Sequence, residues 1–256
     1  MTPPSTAAPA TADSDERPAS TVDERSSSAR RFDPTAAAWL LMAVLGLGAF
    51  AALTLALLNH FATPLDQTLL ADAQGWQGYA TLWRVISESA NIPLIVIGIG
   101  MVLGLWFTHR RREAVLVAIV LIAVTAGSEG VKQLVARPRP EGTDPNIPGV
   151  VYSYPSGHVL EALTIFGILA IRVVRSRAAR LLAGIVVVAV ILEVFLVGIA
   201  RMALSAHYPT DVLAGWFGGS GMLGVYGFFT HRPPGSEPRT ASGEAVRPDD
   251  AVQRPA

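Results

Sequence analysis

Four cations, two histidines and one carboxylate fall into three short clusters of this 256-residue chain, and their types suit chemistry on a phosphate group. The first cluster runs from Lys132 through Arg137 and Arg139 to Pro140. The second is Tyr154, Pro155, Ser156, Gly157 and His158. The third runs from Arg201 through His207 to Asp211. Arg139 and Arg201 offer planar forks that match phosphate oxygens, and Lys132 adds a compact point charge. Ser156 stands where a helix should begin. It can cap that helix or give its hydroxyl to an anion, beside the free N–H groups of Gly157 and His158. Glycine there lets the backbone approach closely. His207 and Asp211 are four apart, so they share a face if helical geometry reaches back to His207. The carboxylate can then hold one imidazole nitrogen while the other attacks phosphorus. His158 is left to protonate the departing oxygen.

The elements that must position these residues are long apolar stretches. The chain is 51% hydrophobic and 16% charged, with its charges crowded into the two ends and a few short loops. Six apolar segments are expected, at about 36–58, 92–108, 114–134, 157–171, 181–199 and 211–229. A bilayer core about 30 Å thick takes roughly 20 apolar residues per helix, and lipid forces each spanning segment to be helical. The second and fourth segments are short for full spans unless their ends extend. The expected fold is therefore all-α, a polytopic bundle of six transmembrane helices. It occupies residues 35–230, between polar tails at 1–34 and 231–256 that are expected to be disordered. The first apolar run is too long and too far from Met1 for a cleaved secretory signal.

Arginine placement orients the bundle. Arg30 and Arg31, Arg110 to Arg112, Arg172 to Arg180 and Arg232 fall in the tails and in loops two and four, whereas the first loop has only Arg84 beside Asp66, Asp72 and Glu88. Both termini are thus expected in the cytoplasm of a cell-membrane protein, with loops one, three and five outside. Lys132, Arg137, Arg139 and Arg201 break the pattern, and cations on the disfavoured side need another explanation. The first loop places Leu65, Leu69, Trp76, Tyr79, Trp83 and Ile86 near helical spacing, which predicts an amphipathic helix lying in the interface. The formal net charge of zero gives no reason for a nucleic-acid partner. The absence of cysteine excludes disulfides and thiolate-bound metals.

The three clusters resemble the type 2 phosphatidic acid phosphatase superfamily, whose pattern is K-x6-RP, then PSGH, then SR-x5-H-x3-D. Lys132 with Arg139 and Pro140 match the first, Pro155 to His158 the second, and Arg201, His207 and Asp211 the third; Ala200 stands in place of the family serine. The resemblance implies a six-helix bundle with its site at one membrane face and no metal or cofactor. It implies a phosphohistidine on His207, oriented by Asp211, with His158 as acid and then base. Lys132, Arg139, Ser156, Gly157 and Arg201 would hold the phosphoryl oxygens. The one missing serine puts a single phosphate hydrogen bond in doubt.

In a chain where nineteen of the twenty basic residues are arginine, the single lysine occupies the motif position. Arg137 matches no motif position and reads as a flanking charge, while Pro138 and Pro140 rigidify the loop. His60, His109 and His231 read as interface or core residues. Glu129 is three before Lys132 and suits an ion pair, Glu161 is three after His158 and could orient it, and Glu193 has no evident partner. These residues point to a bacterial lipid phosphatase that cleaves a polyprenyl diphosphate or a glycerolipid phosphate presented by the membrane. Three cations lean weakly toward the diphosphate. The alternatives are a lipid phosphotransferase and a non-catalytic lipid-binding protein. Oligomeric state is not legible.

Overall fold

The computed structural model describes residues 33–59, 64–143, 152–176 and 179–231. Nearly all of the expected tails, His60, Arg30, Arg31, Arg177 and Arg232 and the side chain of Leu65 lie outside the described residues.

The described chain is helical: α1 (Pro34–Leu58), α2 (Pro64–Gln74), a 3-10 turn (Gln77–Tyr79), α3 (Ala80–Ser89), α4 (Ile92–Phe107), α5 (Arg111–Val135), α6 (Gly157–Arg175), α7 (Arg180–Ala203) and α8 (Pro209–Thr230). The six expected apolar segments correspond to α1, α4, α5, α6, α7 and α8. The short second segment gains length because α3 leads into α4, so that residues 77–107 form one apolar span. The fourth reaches Arg175. The expected interfacial helix is two helices, α2 and α3, joined through Gly75 and the 3-10 turn. Helix ends follow local chemistry. Asp33 caps α1 by accepting from Thr35 N at 3.0 Å and Ala36 N at 3.2 Å, with Pro34 at the first helical position. Ala136 ends α5 in a left-handed conformation, φ 48°, and hands the chain to the Arg-Pro-Arg-Pro strap.

α8 is the central element, packed on α1 along one side and on α6 along another. Its glycines permit this. A Cβ on Gly224 would lie 2.3 Å from Ala43 N, and one on Gly221 would lie 2.8 Å from Leu47 N, so α1 and α8 meet backbone to backbone. Small residues at a helix interface allow that approach in lipid, where packing rather than hydrophobic burial drives association. Val117, Val120, Val124, Leu160, Ile168 and Leu223 fill one core cluster, and Leu94, Val159, Ile165, Val194 and Val212 a second. The outward faces are apolar: Leu41, Val44 and Leu45 on α1 and Ile185, Val188 and Ile191 on α7 are all more than half exposed. That is the surface a lipid-embedded bundle presents.

Candidate active site

The three clusters meet at one end of the bundle. The strap after α5 is pinned antiparallel to the residues before α6 by a bridge between Pro138 and Tyr152 and by Ser153 N donating to Arg137 O at 2.9 Å. Tyr154 anchors the second cluster from below. Its ring stacks on Phe50, and its hydroxyl lies 2.9 Å from Thr54 Oγ1 on α1. Burial pushes the Tyr154 hydroxyl up to about 12, so it stays a neutral hydrogen-bonding group. Ser156 N donates to Asp211 O at 3.0 Å, joining the second cluster to the third. Residues 204–208 fold back over the end of α7 through Ala206 N and His207 N, both donating to Arg201 O.

His207 is buried, and its partners fix its tautomer. Nδ1 lies 2.6 Å from the Ser153 carbonyl oxygen, which can only accept, and Nε2 lies 3.4 Å from Arg201 Nη2, which can only donate. The proton therefore sits on Nδ1, and the Nε2 lone pair faces the guanidinium. Burial drives the His207 pKa down to about 4; the nearby Asp211 opposes the shift and the Arg201 charge adds to it. The imidazole is thus neutral near pH 7.

Asp211 differs from the sequence expectation in detail. α8 starts at Pro209, preceded by extended Tyr208, so helical geometry does not reach His207. Asp211 Oδ2 stands 3.7 Å from Nδ1, beyond hydrogen-bond length, and accepts instead from Tyr208 N at 2.8 Å. Its other oxygen takes Arg137 Nη1 at 2.7 Å. Asp211 acts on His207 through its charge and by shaping the loop.

Arg137, read as a flanking charge, is instead the tie between three elements. It donates to Asp211 Oδ1, Thr210 Oγ1 and Asp66 Oδ2, each at 2.7 Å, and stacks over the Tyr208 ring at 3.9 Å. Burial disfavours its charge, but the Asp211 and Asp66 carboxylates outweigh that and hold its pKa above the ordinary arginine value. Asp66, on α2, also accepts from Thr210 N at 2.9 Å and Thr210 Oγ1 at 2.8 Å. Gln74 and Gln77 reach Ser205 Oγ at 2.9 and 3.0 Å. The segment from α2 to the 3-10 turn is therefore bolted to the loop that carries His207.

The remaining expected residues surround the same space. A Cβ on Gly157 would lie 3.5 Å from both Lys132 Nζ and Ser128 Oγ. His158 lies within range of the Arg201, Lys132 and Arg139 charges. Lys132 pairs with Glu129, as its spacing suggested. Arg201 donates to Ser87 Oγ on α3 at 2.9 Å. Four buried polar atoms here have no hydrogen-bond partner: Ser128 Oγ, Arg139 Nε, Ser156 Oγ and Arg201 Nε. Buried polar atoms are nearly always satisfied, so four together mark a place built for an acceptor-rich ligand. A phosphate ester, with its bridging oxygen counted, supplies that many oxygens. Ala200, where the family has serine, is fully buried and adds no donor. Glu161 meets Thr125 on α5, a different partner from the His158 its spacing suggested, and Glu193 takes a hydrogen bond from Ser89 on α3.

Comparison with known proteins agrees with this arrangement. Residues 113–232 match the model of the PAP2 superfamily. The chain is 30% identical over 151 residues to phosphatidylglycerophosphatase B of Bacillus subtilis (strain 168), a match covering 56% of this chain and 66% of that protein. Its fold is similar to a crystal structure described as the first transmembrane PAP2-type phosphatidylglycerolphosphate phosphatase, from Bacillus subtilis. The TM-score is 0.53 at 21% identity, over 73% of this chain and 93% of the other. With its motifs gathered at one end of a six-span helical bundle, the chain resembles the PAP2 superfamily in both sequence and fold.

Proposed function

We propose that this protein is a membrane-embedded lipid phosphatase that works through a phosphohistidine on His207 and requires no metal. One observation carries the reading: the Nε2 lone pair of a neutral, buried His207 faces Arg201, beside four unpartnered polar atoms suited to phosphate oxygens. Lys132, Arg139 and Arg201 neutralise the phosphate charge, and Ser128, Ser156 and the Gly157 N–H complete its cradle. Nε2 attacks phosphorus, the P–O bond to the lipid breaks, and His158, protonated, gives its proton to the departing oxygen. His158 then takes a proton from water, the hydroxide attacks phosphorus, and the P–N bond breaks to release inorganic phosphate and free His207. The Asp211 charge stabilises the imidazolium character that His207 gains while phosphorylated. Arg137 and the Ser153 carbonyl are positioning groups.

The substrate is a lipid phosphate whose chains remain in the bilayer. The name of the matched relative favours a glycerolipid phosphate such as phosphatidylglycerophosphate, and the cation count favours a polyprenyl diphosphate. Rates of phosphate release from both, in one detergent, decide between them: a tenfold preference corresponds to about 1.4 kcal/mol of transition-state binding. Chelators leave the rate unchanged and vanadate inhibits; activity lost to chelator and restored by magnesium contradicts the metal-free mechanism. The catalytic end faces outward and the termini inward, as the arginine distribution implies. The chain has no cysteine of its own, so single cysteines at Glu141 and Ser176, both exposed, report sidedness cleanly. An impermeant reagent on intact cells labels the first and spares the second.

A further inference from the structure

The opposite end of the bundle carries a concavity of about 1490 Å3 between the ends of three spans. Its walls are the turn before α5, the start of α5, the end of α6 and the end of α8. Arg111 precedes Lys132 by a distance of about 32 Å along α5 at 1.5 Å per residue, so this space is remote from His207. Arg110, Arg111, Arg112, Arg172 and Arg175 line it, against the single carboxylate of Glu113. The preference of arginine for one side of a membrane explains its presence near span ends, but not five guanidiniums gathered around one hollow.

The floor is built from side chains that hold one another. Glu113 accepts from Arg172 and from the Tyr226 hydroxyl, the latter at 2.8 Å, and Arg110 stands 3.7 Å away. Two further forks are held by aromatic faces: Arg111 lies 5.2 Å from the Trp106 ring centroid and Arg175 5.5 Å from that of Trp39. Stacking restrains a guanidinium while leaving N–H donors at its edge. One carboxylate leaves the excess positive charge in the hollow unbalanced. Phe229, also lining the hollow, is 69% exposed and supplies apolar surface at the rim.

We propose that this hollow binds the phosphate headgroup of an anionic phospholipid in the leaflet opposite the catalytic face, with its chains running out over the apolar helix surface. Basic pockets between span ends are a recognised setting for such headgroups. The apolar rim favours a lipid over a free anion. The inference is independent of the phosphatase reading, because the site neither contains nor touches His207.

The test uses the purified full chain in detergent. Native mass spectrometry counts retained phosphatidylglycerol, with phosphatidylcholine and inorganic phosphate as the other probes. Phosphatidylglycerol is expected to be retained in preference to phosphatidylcholine. At least fivefold less should be retained by Arg175→Gln and by the double variant Arg111→Gln/Arg112→Gln, with no loss in Arg139→Gln. The double variant guards against Arg175→Gln disturbing α8, where Arg175 donates to Thr230 Oγ1 at 2.6 Å. Equal retention in both variants, or retention of phosphatidylcholine as strong as phosphatidylglycerol, overturns the proposal. Displacement of the lipid by inorganic phosphate at matched concentration also overturns it, marking a small-anion site instead. Phosphate release by these variants, measured alongside, reports separately on the catalytic reading.

Discussion

Both ends of this bundle are rich in arginine, yet they are built on opposite plans. At the His207 end the cations are withdrawn from solvent: Arg201 is 4% exposed and Lys132 8%. Their neighbours are side chains whose polar atoms await a partner. At the other end Arg110, Arg111, Arg112 and Arg175 are exposed, and a single carboxylate serves five guanidiniums. Burial separates the two. A charge held in a dry, preorganised place acts far more strongly on a transition state than the same charge in water, where solvent and salt screen it. One end is therefore suited to chemistry and the other to binding. Arg137 and Arg139 repeat the contrast at close range. Two residues apart in the strap, one is spent on Asp66 and Asp211 while the other keeps Nε without a partner.

Substitutions rank along this contrast. The largest effect belongs to His207→Ala, which should lower the rate of phosphate release by about four decades or more, as loss of a nucleophile does. His158→Ala should cost roughly two to four decades, and less with a substrate whose leaving group needs no proton. Arg137→Ala leaves two buried carboxylates without their cation. It should destabilise the fold by about 3–5 kcal/mol, seen in thermal unfolding, while Arg137→Lys recovers part of that loss. Recovery of stability without recovery of rate would show that the fork positions the His207 loop beyond balancing charge.

The acid limb of kcat/KM tests the burial of His207 directly. With its pKa at about 4, the free enzyme keeps a neutral nucleophile well below the ordinary histidine value. The limb should lie nearer pH 4 than pH 6.5. The sign for stability follows: the unfolded imidazole binds a proton below about pH 6.5 and the folded one does not. This group's contribution is intact above that pH and falls as pH drops toward 4. The smallest effect is expected at the opposite end, where Arg111→Gln/Arg112→Gln should change kcat/KM by less than about twofold, since surface charges so far away are screened.

Much of this was legible in the sequence. Apolar run lengths located the six spans because lipid admits little else, and the three motifs pointed to side chains that the structure brings together. The structure gathers every residue so named at one end. What was not legible depends on distant or backbone partners. Asp66 lies about seventy residues before Arg137, and no local spacing links them. The Ser153 carbonyl that sets the His207 tautomer is a backbone group with no letter of its own. Pro209 broke the helical face that would have aligned His207 with Asp211. Ser128 was within reach: four residues before Lys132 on one helix, it had to share that lysine's face.

The most direct test of the account is to trap the phosphoryl group. A substrate labelled in its departing phosphate is mixed with His158→Ala protein, quenched in base within the first turnover, and the protein digested and mapped. The account predicts label on His207 alone, stable to base, lost in mild acid and absent from His207→Ala. Label on any other residue, or turnover in His207→Ala at the rate of the unsubstituted protein, would contradict it.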